Sequence, residues 1–214
     1  MATIAPCITV ETLDEYQASI ARLEPFAERV HIDISDGEFA PRRLLGIEQL
    51  YWPQTWQVDI HAMVKQPSLY LEQILLLKPQ TIIFHVEVTE DLVPLLQRVK
   101  QMGVKAGVAL LRQTVPKNYA PAIEAADYVM IFCGELGQYG GKASLMQLEK
   151  VRLVRMIHPS VEIGWDGGAS LENVFSLSQG GVDVINVGGA INRSDNPSEM
   201  YAKMKTEVGR RGVM

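Results

Sequence analysis

The stretch QVDIHAMVKQPSLYLEQILLLKPQTIIFHV (Gln57–Val86) reads as strand, helix, strand. Its ends, Gln57–Val64 and Thr81–Val86, are mostly apolar on both faces, the pattern of strands covered by helices. Between them Pro67 stands at an early helical position and opens a pattern that runs to Leu77. Such a unit joins parallel neighbours in a sheet. Outward from it, similar β-rich runs occur at Ala2–Thr9, Arg29–Ile34, Lys105–Leu110, Tyr128–Phe132, Val161–Gly164 and Asp183–Val187. Helical patterns lie between them. Thr12–Leu23 begins at a Thr suited to capping, and Leu92–Met102 stops at Gly103. Ser144–Ile157, Leu171–Gln179 and Ser198–Val208 carry mixed faces, and shorter patterns cover Leu44–Leu50 and Asn118–Ala125. About eight strand–helix alternations in 214 residues predict an α/β chain folded as one (β/α)8 TIM barrel, a single domain over residues 1–214. A doubly wound open sheet is the runner-up.

Composition narrows the function. A net charge of −5 argues against a nucleic-acid or anionic-membrane surface, so any anionic ligand needs a local pocket. The start of the chain lacks the basic and apolar regions of a signal peptide, and no apolar stretch reaches transmembrane length. Cys7 and Cys133 are the only cysteines and read as free thiols in a reducing compartment. The expected location is the cytoplasm.

Four side chains at predicted strand ends suit a divalent metal. His31 and Asp33 stand two apart on one strand and therefore share a face. His61 closes the next strand, and Asp166 follows the seventh. In a barrel the C-terminal ends of the strands carry the active site. Nitrogen and oxygen donors suit zinc, iron, manganese or cobalt without choosing among them. Two carboxylates from different strands can exchange protons on opposite faces of a bound substrate.

Three glycine-rich loops form a second group: GELGQYGGK (Gly134–Lys142), DGG (Asp166–Gly168) and VGGAI (Val187–Ile191). They follow strands six, seven and eight, and the loops after strands seven and eight of such barrels often bind phosphate. Glycine lets the backbone approach an anion closely.

Taken together these segments resemble the ribulose-phosphate 3-epimerase family. HIDISDGEFAP (His31–Pro41) is similar to that family's His-x-Asp-x-Met-Asp-Gly-x-Phe-Val-Pro motif, and VDIHAMV (Val58–Val64) to its Asp-x-His-Leu-Met-Val. IAPCITV, FHVE, VKAGVAL, WDGGAS and GVDVINVGGAI match family segments in order. The resemblance implies a (β/α)8 barrel and one divalent metal held by His31, Asp33, His61 and Asp166. It implies that Asp33 and Asp166 are the paired acid and base. It implies inversion at C3 of a ketose phosphate through an enediolate, with ribulose 5-phosphate and xylulose 5-phosphate as the expected pair. Gly140, Gly141, Gly167, Gly168, Gly188 and Gly189 would form the phosphate pocket, with Lys142 as an added charge. Cys7 and Met63 would line the substrate site. The expected partners are a small-molecule sugar phosphate and further copies of the chain in a homo-oligomer, with no nucleic acid and no membrane.

Departures from the family pattern surround the substrate rather than the metal. Cys7 replaces a Ser, Ser35 a Met, Arg42 an Asn and Gly189 a Ser. LLRQT (Leu110–Thr114) stands where the family reads Pro-Gly-Thr. The Gly134–Lys142 loop carries one extra residue, with Leu136 for Pro and Lys142 for Gln. This drift leaves two alternatives open: a 3-epimerase of a six-carbon ketose phosphate, and a non-catalytic phosphosugar-binding homologue. His85 and Glu87 alternate on strand four and read as polar residues satisfied in the core. Asp59 reads as an outer partner of His61 or as an interior hydrogen bonder.

Overall fold

Eight parallel strands pair in chain order, and the eighth closes on the first. They are β1 (Thr3–Ile8), β2 (Arg29–Ser35), β3 (Gln57–Met63), β4 (Thr81–His85), β5 (Lys105–Leu110), β6 (Tyr128–Phe132), β7 (Glu162–Asp166) and β8 (Val184–Val187). The structure is a computed structural model that describes residues 1–141 and 143–210. Around the strands run α1 (Leu13–Leu23), α2 (Ser68–Leu76), α3 (Leu92–Gln101), α4 (Ala120–Ala125), α5 (Glu149–Ile157), α6 (Val174–Gln179), α7 (Gly189–Asn192) and α8 (Pro197–Val208). The architecture is the (β/α)8 barrel that the alternation predicts. Among the described residues, no helix is long and apolar enough to cross a membrane.

The crossovers depart from expectation in detail. The pattern at Leu44–Leu50 yields only one 3-10 turn, Ile47–Gln49. Leu44 and Leu45 donate their N–H groups to Ser35 O and Val10 O at 3.2 and 3.0 Å, which ties this segment to neighbouring chain. The pattern at Asn118–Ala125 divides into a 3-10 turn, Pro116–Tyr119, and the short α4. Pro121 sits in the first turn of α4, where its missing N–H costs nothing. The helix predicted from Ser144 opens with a 3-10 turn, Leu145–Leu148, before α5. β7 runs on through Asp166, so that carboxylate stands on the strand itself.

Alternation along the strands sorts two cores. Ile4, Ile8, Ile32, Ile60, Ile82, Val108, Ile131 and Ile185 belong to the large cluster that includes the helices' buried residues. Ala5, Ile83, Ala109, Tyr128, Met130, Phe132 and Val184 form a second, smaller cluster. The two sets occupy alternate positions along their strands, so the second fills the barrel interior. Small residues make room there for large ones. A Cβ on Gly164 would sit 1.8 Å from the Tyr128 hydroxyl oxygen.

A buried ionic group occupies the N-terminal end of the barrel. Arg29 Nε lies 2.6 Å from Asp59 Oδ2, and Arg29 Nη1 lies 2.8 Å from Glu162 Oε1. Arg29 and Glu162 are the first residues of β2 and β7, so this group lies at the opposite end of the barrel from Asp33 and Asp166. Asp59 is therefore an interior partner of Arg29; its other oxygen has no hydrogen bond.

The Thr12 cap predicted for α1 forms a reciprocal box. Thr12 Oγ1 accepts from Glu15 N at 3.3 Å, and Glu15 Oε2 accepts from Thr12 N at 3.2 Å. Thr12→Ala is expected to lower stability by about 1 kcal/mol. Urea unfolding should show an earlier midpoint with an unchanged slope; an unchanged midpoint would mean the box contributes nothing.

Candidate active site

Strand register brings the four expected metal ligands together. Asp33 on β2 lies directly opposite His61 on β3. His31 precedes Asp33 by two residues and shares its inward face. Asp166 ends β7. One ligand atom from each of the four lies within 4.8 Å of all the others. Asp33 Oδ1 stands 2.8 Å from His61 Nδ1 and 3.2 Å from His31 Nε2. Asp166 Oδ2 stands 3.7 Å from the same His31 nitrogen.

The chemistry of this group suits a divalent cation. Both imidazoles are fully buried. Neither nitrogen of His31 makes a hydrogen bond, although Nε2 is surrounded by two carboxylates. A buried polar atom left unpaired is costly. A cation shared by the two carboxylates and the two imidazoles would satisfy it. The donor set of two nitrogens and two oxygens fits zinc, iron, manganese or cobalt.

The two carboxyl groups differ in environment. Burial raises the pKa of both. At Asp33 the neighbouring His31 and His61 imidazoles overcome burial, holding its carboxyl well below the usual carboxylate range. At Asp166 burial prevails over the nearby His31 and repulsion by Asp33 adds to it, so the carboxyl is pushed up to about 6. Two titratable groups driven apart in this way form the pattern of an acid and a base. Thr9, which sequence reasoning missed, donates its hydroxyl to Asp33 Oδ2. The signal available was its place two residues after Cys7, just past the end of β1.

Above the carboxylates opens a cleft of about 280 Å³. Asp33, Asp166, Cys7, Met63 and Phe132 line it, together with Gly140, Gly141, Gly167, Gly168, Gly188 and Gly189. All six candidate phosphate-pocket glycines therefore border one space. Lys142 lies outside the described residues. Gly167 has φ +105°, and a Cβ there would fall 2.0 Å from Gly134 N, so only glycine lets the loops after β6 and β7 touch. Burial raises the pKa of Cys7 well above its ordinary value, with the charges of Asp166 and Asp33 adding to the effect. It lines the cleft as a neutral thiol. Ser35 turns into its own loop, where its hydroxyl accepts from Gly37 N at 3.2 Å.

Two further features were not anticipated. Arg193 borders the same cleft. A Cβ on Gly189 would lie 3.8 Å from Arg193 Cζ, and one on Gly140 4.0 Å from Arg193 Nη2. Arg193 follows Gly189 by four residues, so one helical turn returns its side chain over that glycine. Tyr139 reaches from the β6 loop to β1, where its hydroxyl accepts from Thr9 N at 2.7 Å. His85, expected to be a satisfied core residue, is bonded to the site: its Nε2 lies 2.8 Å from His61 Nε2.

Comparison with known proteins agrees with this geometry. Residues 3–192 match the sequence model described as the ribulose-phosphate 3 epimerase family. The chain is similar to a ribulose-phosphate 3-epimerase of Schizosaccharomyces pombe, with 26% identity over 97% of this chain and 94% of that one. It is 30% identical to the cytoplasmic isoform of ribulose-phosphate 3-epimerase from Oryza sativa subsp. japonica, again over 97% and 94%. A crystal structure of 3-hexulose-6-phosphate synthase from Salmonella typhimurium shares the fold, with TM-score 0.73 and 16% identity over 96% of this chain and 98% of that one. The match over nearly the whole length, carried by a barrel whose strand ends hold the His31, Asp33, His61 and Asp166 group, makes this chain a member of the ribulose-phosphate 3-epimerase family.

Proposed function

We propose that this protein is a metal-dependent epimerase that inverts C3 of a ketose phosphate, interconverting ribulose 5-phosphate and xylulose 5-phosphate. The observation that carries this reading is the convergence of Asp33 and Asp166, from β2 and β7, on one buried histidine at the floor of a glycine-walled cleft. The names of the relatives supply inversion at C3 of a ribulose phosphate, and such inversion makes a xylulose phosphate the product.

His31, Asp33, His61 and Asp166 would hold the divalent ion. When bound, it supplies Lewis-acid stabilisation of negative charge developing on substrate oxygens. The chain's own residues handle the protons. One carboxylate takes the C3 proton, and the electron pair of the broken C–H bond passes toward the C2 carbonyl as an enediolate. The other carboxyl delivers a proton to C3 on the opposite face. Reversal exchanges the roles, so one pair serves both directions. Asp33 and Asp166 stand on β2 and β7, so each can serve as base for one epimer and as acid for the other. Phe132 and Met63 cover the cleft wall and limit water at the reacting carbon. The six glycines bring backbone close to where a phosphate would sit, and Arg193 adds the cation that a chain of net charge −5 must provide locally.

The direct test is a coupled assay of the metal-loaded protein on ribulose 5-phosphate and on a six-carbon ketose phosphate. Epimer formation from the five-carbon substrate supports the reading. Activity on the six-carbon substrate alone would change the substrate, and binding without turnover of either would favour a phosphosugar-binding protein. For Arg193→Ala, KM for the phosphorylated substrate should rise about tenfold, the loss of one charged hydrogen bond, with kcat little changed. An unchanged KM would remove Arg193 from the phosphate pocket.

A further inference from the structure

His61 stands at the end of a chain of buried side chains that begins outside the His31, Asp33, His61 and Asp166 group. Glu87 Oε1 accepts from Leu111 N at 2.8 Å and from the Thr114 hydroxyl. Its other oxygen, Oε2, lies 3.2 Å from His85 Nδ1. His85 Nε2 lies 2.8 Å from His61 Nε2, and His61 Nδ1 lies 2.8 Å from Asp33 Oδ1. His85 is fully buried between the rings of Phe39 and Phe132, whose centres are 4.8 and 5.6 Å away.

Hydrogen-bond logic runs one way along this chain. A carboxylate that already accepts two bonds can only accept, so His85 Nδ1 must carry the proton between them. The neutral His85 ring then presents Nε2 as an acceptor. His61 therefore donates to it from Nε2, and its remaining nitrogen, Nδ1, faces the Asp33 carboxylate at 2.8 Å. Without an ion a proton on Nδ1 bonds the two, and a divalent cation taken up between them would displace that proton. The order of bonds fixed at Glu87 therefore prepares His61 and Asp33 to share a positive ion.

We propose that His85 and Glu87 are positioning residues that hold His61 in the Nε2–H form with Nδ1 turned to the metal. The inference rests on the reading of His31, Asp33, His61 and Asp166 as a metal site. Thr114 and the Leu111 N–H form the far end of the chain. Because they belong to the segment that departs from the family's Pro-Gly-Thr loop, the drift there still retains a donor for Glu87.

The test uses Zn2+ as the probe on the full-length protein, with two variants of different severity. Glu87→Gln keeps the volume and replaces a pure acceptor with an amide. His85→Phe keeps an aromatic ring between Phe39 and Phe132 but breaks the chain. Zn2+ affinity is measured by competition with a chelator. Two-bond 1H–15N correlations of the imidazoles report which nitrogen of His61 carries the proton. The native protein should bind Zn2+ with His61 protonated at Nε2. Both variants should bind it ~10- to 100-fold more weakly, and Glu87→Gln should show His61 Nε2–H weakened or mixed with the other form while thermal unfolding by circular dichroism stays cooperative. Should His85→Phe not fold, the Glu87→Gln result decides alone. Native-like Zn2+ affinity in the folded variants, or His61 protonated at Nδ1 in the Zn2+-loaded native protein, overturns the positioning role and leaves the metal site standing. Failure of the native protein to bind Zn2+, Mn2+, Co2+ or Fe2+ overturns the metal site and this role with it.

Discussion

Asp33→Asn and Asp166→Asn are each expected to lower turnover ~100- to 10,000-fold, the usual cost of removing a positioned acid or base. Asn keeps the shape of the side chain but cannot take or give the proton. The two variants should differ in what they still do in deuterated water. With one carboxylate left, an epimer whose C3 hydrogen faces it can still lose that proton and regain deuterium on the same face, so exchange survives without inversion. Each variant should exchange a different epimer. Because both residues are also expected to touch the metal, metal content must be measured beside the rate. Loss of inversion with metal retained assigns the defect to proton transfer. Full epimerase activity in either variant would refute the two-carboxylate scheme.

His31→Ala and His61→Ala are expected to lose the metal. Removal of an outer partner alone costs ~10- to 100-fold in affinity, and removal of a ligand should exceed that. His31 is the sharper case. Its two nitrogens make no hydrogen bond in the structure, so nothing in the protein takes the place of a cation at Nε2. Dialysis against buffer followed by elemental analysis should find stoichiometric divalent metal in the native protein and little in either variant. Full metal content in His61→Ala would show that the ion lies elsewhere.

The barrel was legible because its strands carry their chemistry in period two. β3 and β4 declare themselves by apolar runs, and their inward positions announce His61 and His85. The gathering of His31, Asp33, His61 and Asp166 was equally legible, since His31 and Asp33 share one strand and one face. What escaped was decided by contacts between distant segments. His85 is buried and satisfied as expected, but nothing local tells that its partner is His61, 2.8 Å away on the neighbouring strand. The helix expected at Leu44–Leu50 shrinks to one 3-10 turn, in a segment whose Leu44 and Leu45 N–H groups bond to Ser35 O and Val10 O. Asp59 lay open between two roles until Arg29, thirty residues earlier, engaged it at 2.6 Å. Thr9, inside the IAPCITV segment, and Arg193, outside every quoted segment, each matter through what the closed barrel sets beside them, Asp33 for the first and Gly189 for the second.

The most direct test of the function is one spectrum taken over time. The native, metal-loaded protein is incubated with ribulose 5-phosphate in deuterated water, and the C3 hydrogen is followed by proton NMR. The expected result is xylulose 5-phosphate carrying deuterium at C3, formed at a rate that falls when the metal is removed by chelation and returns when it is restored. A protein that holds its metal at the His31–Asp33–His61–Asp166 group and yet leaves the C3 hydrogen of every ketose phosphate untouched would contradict it.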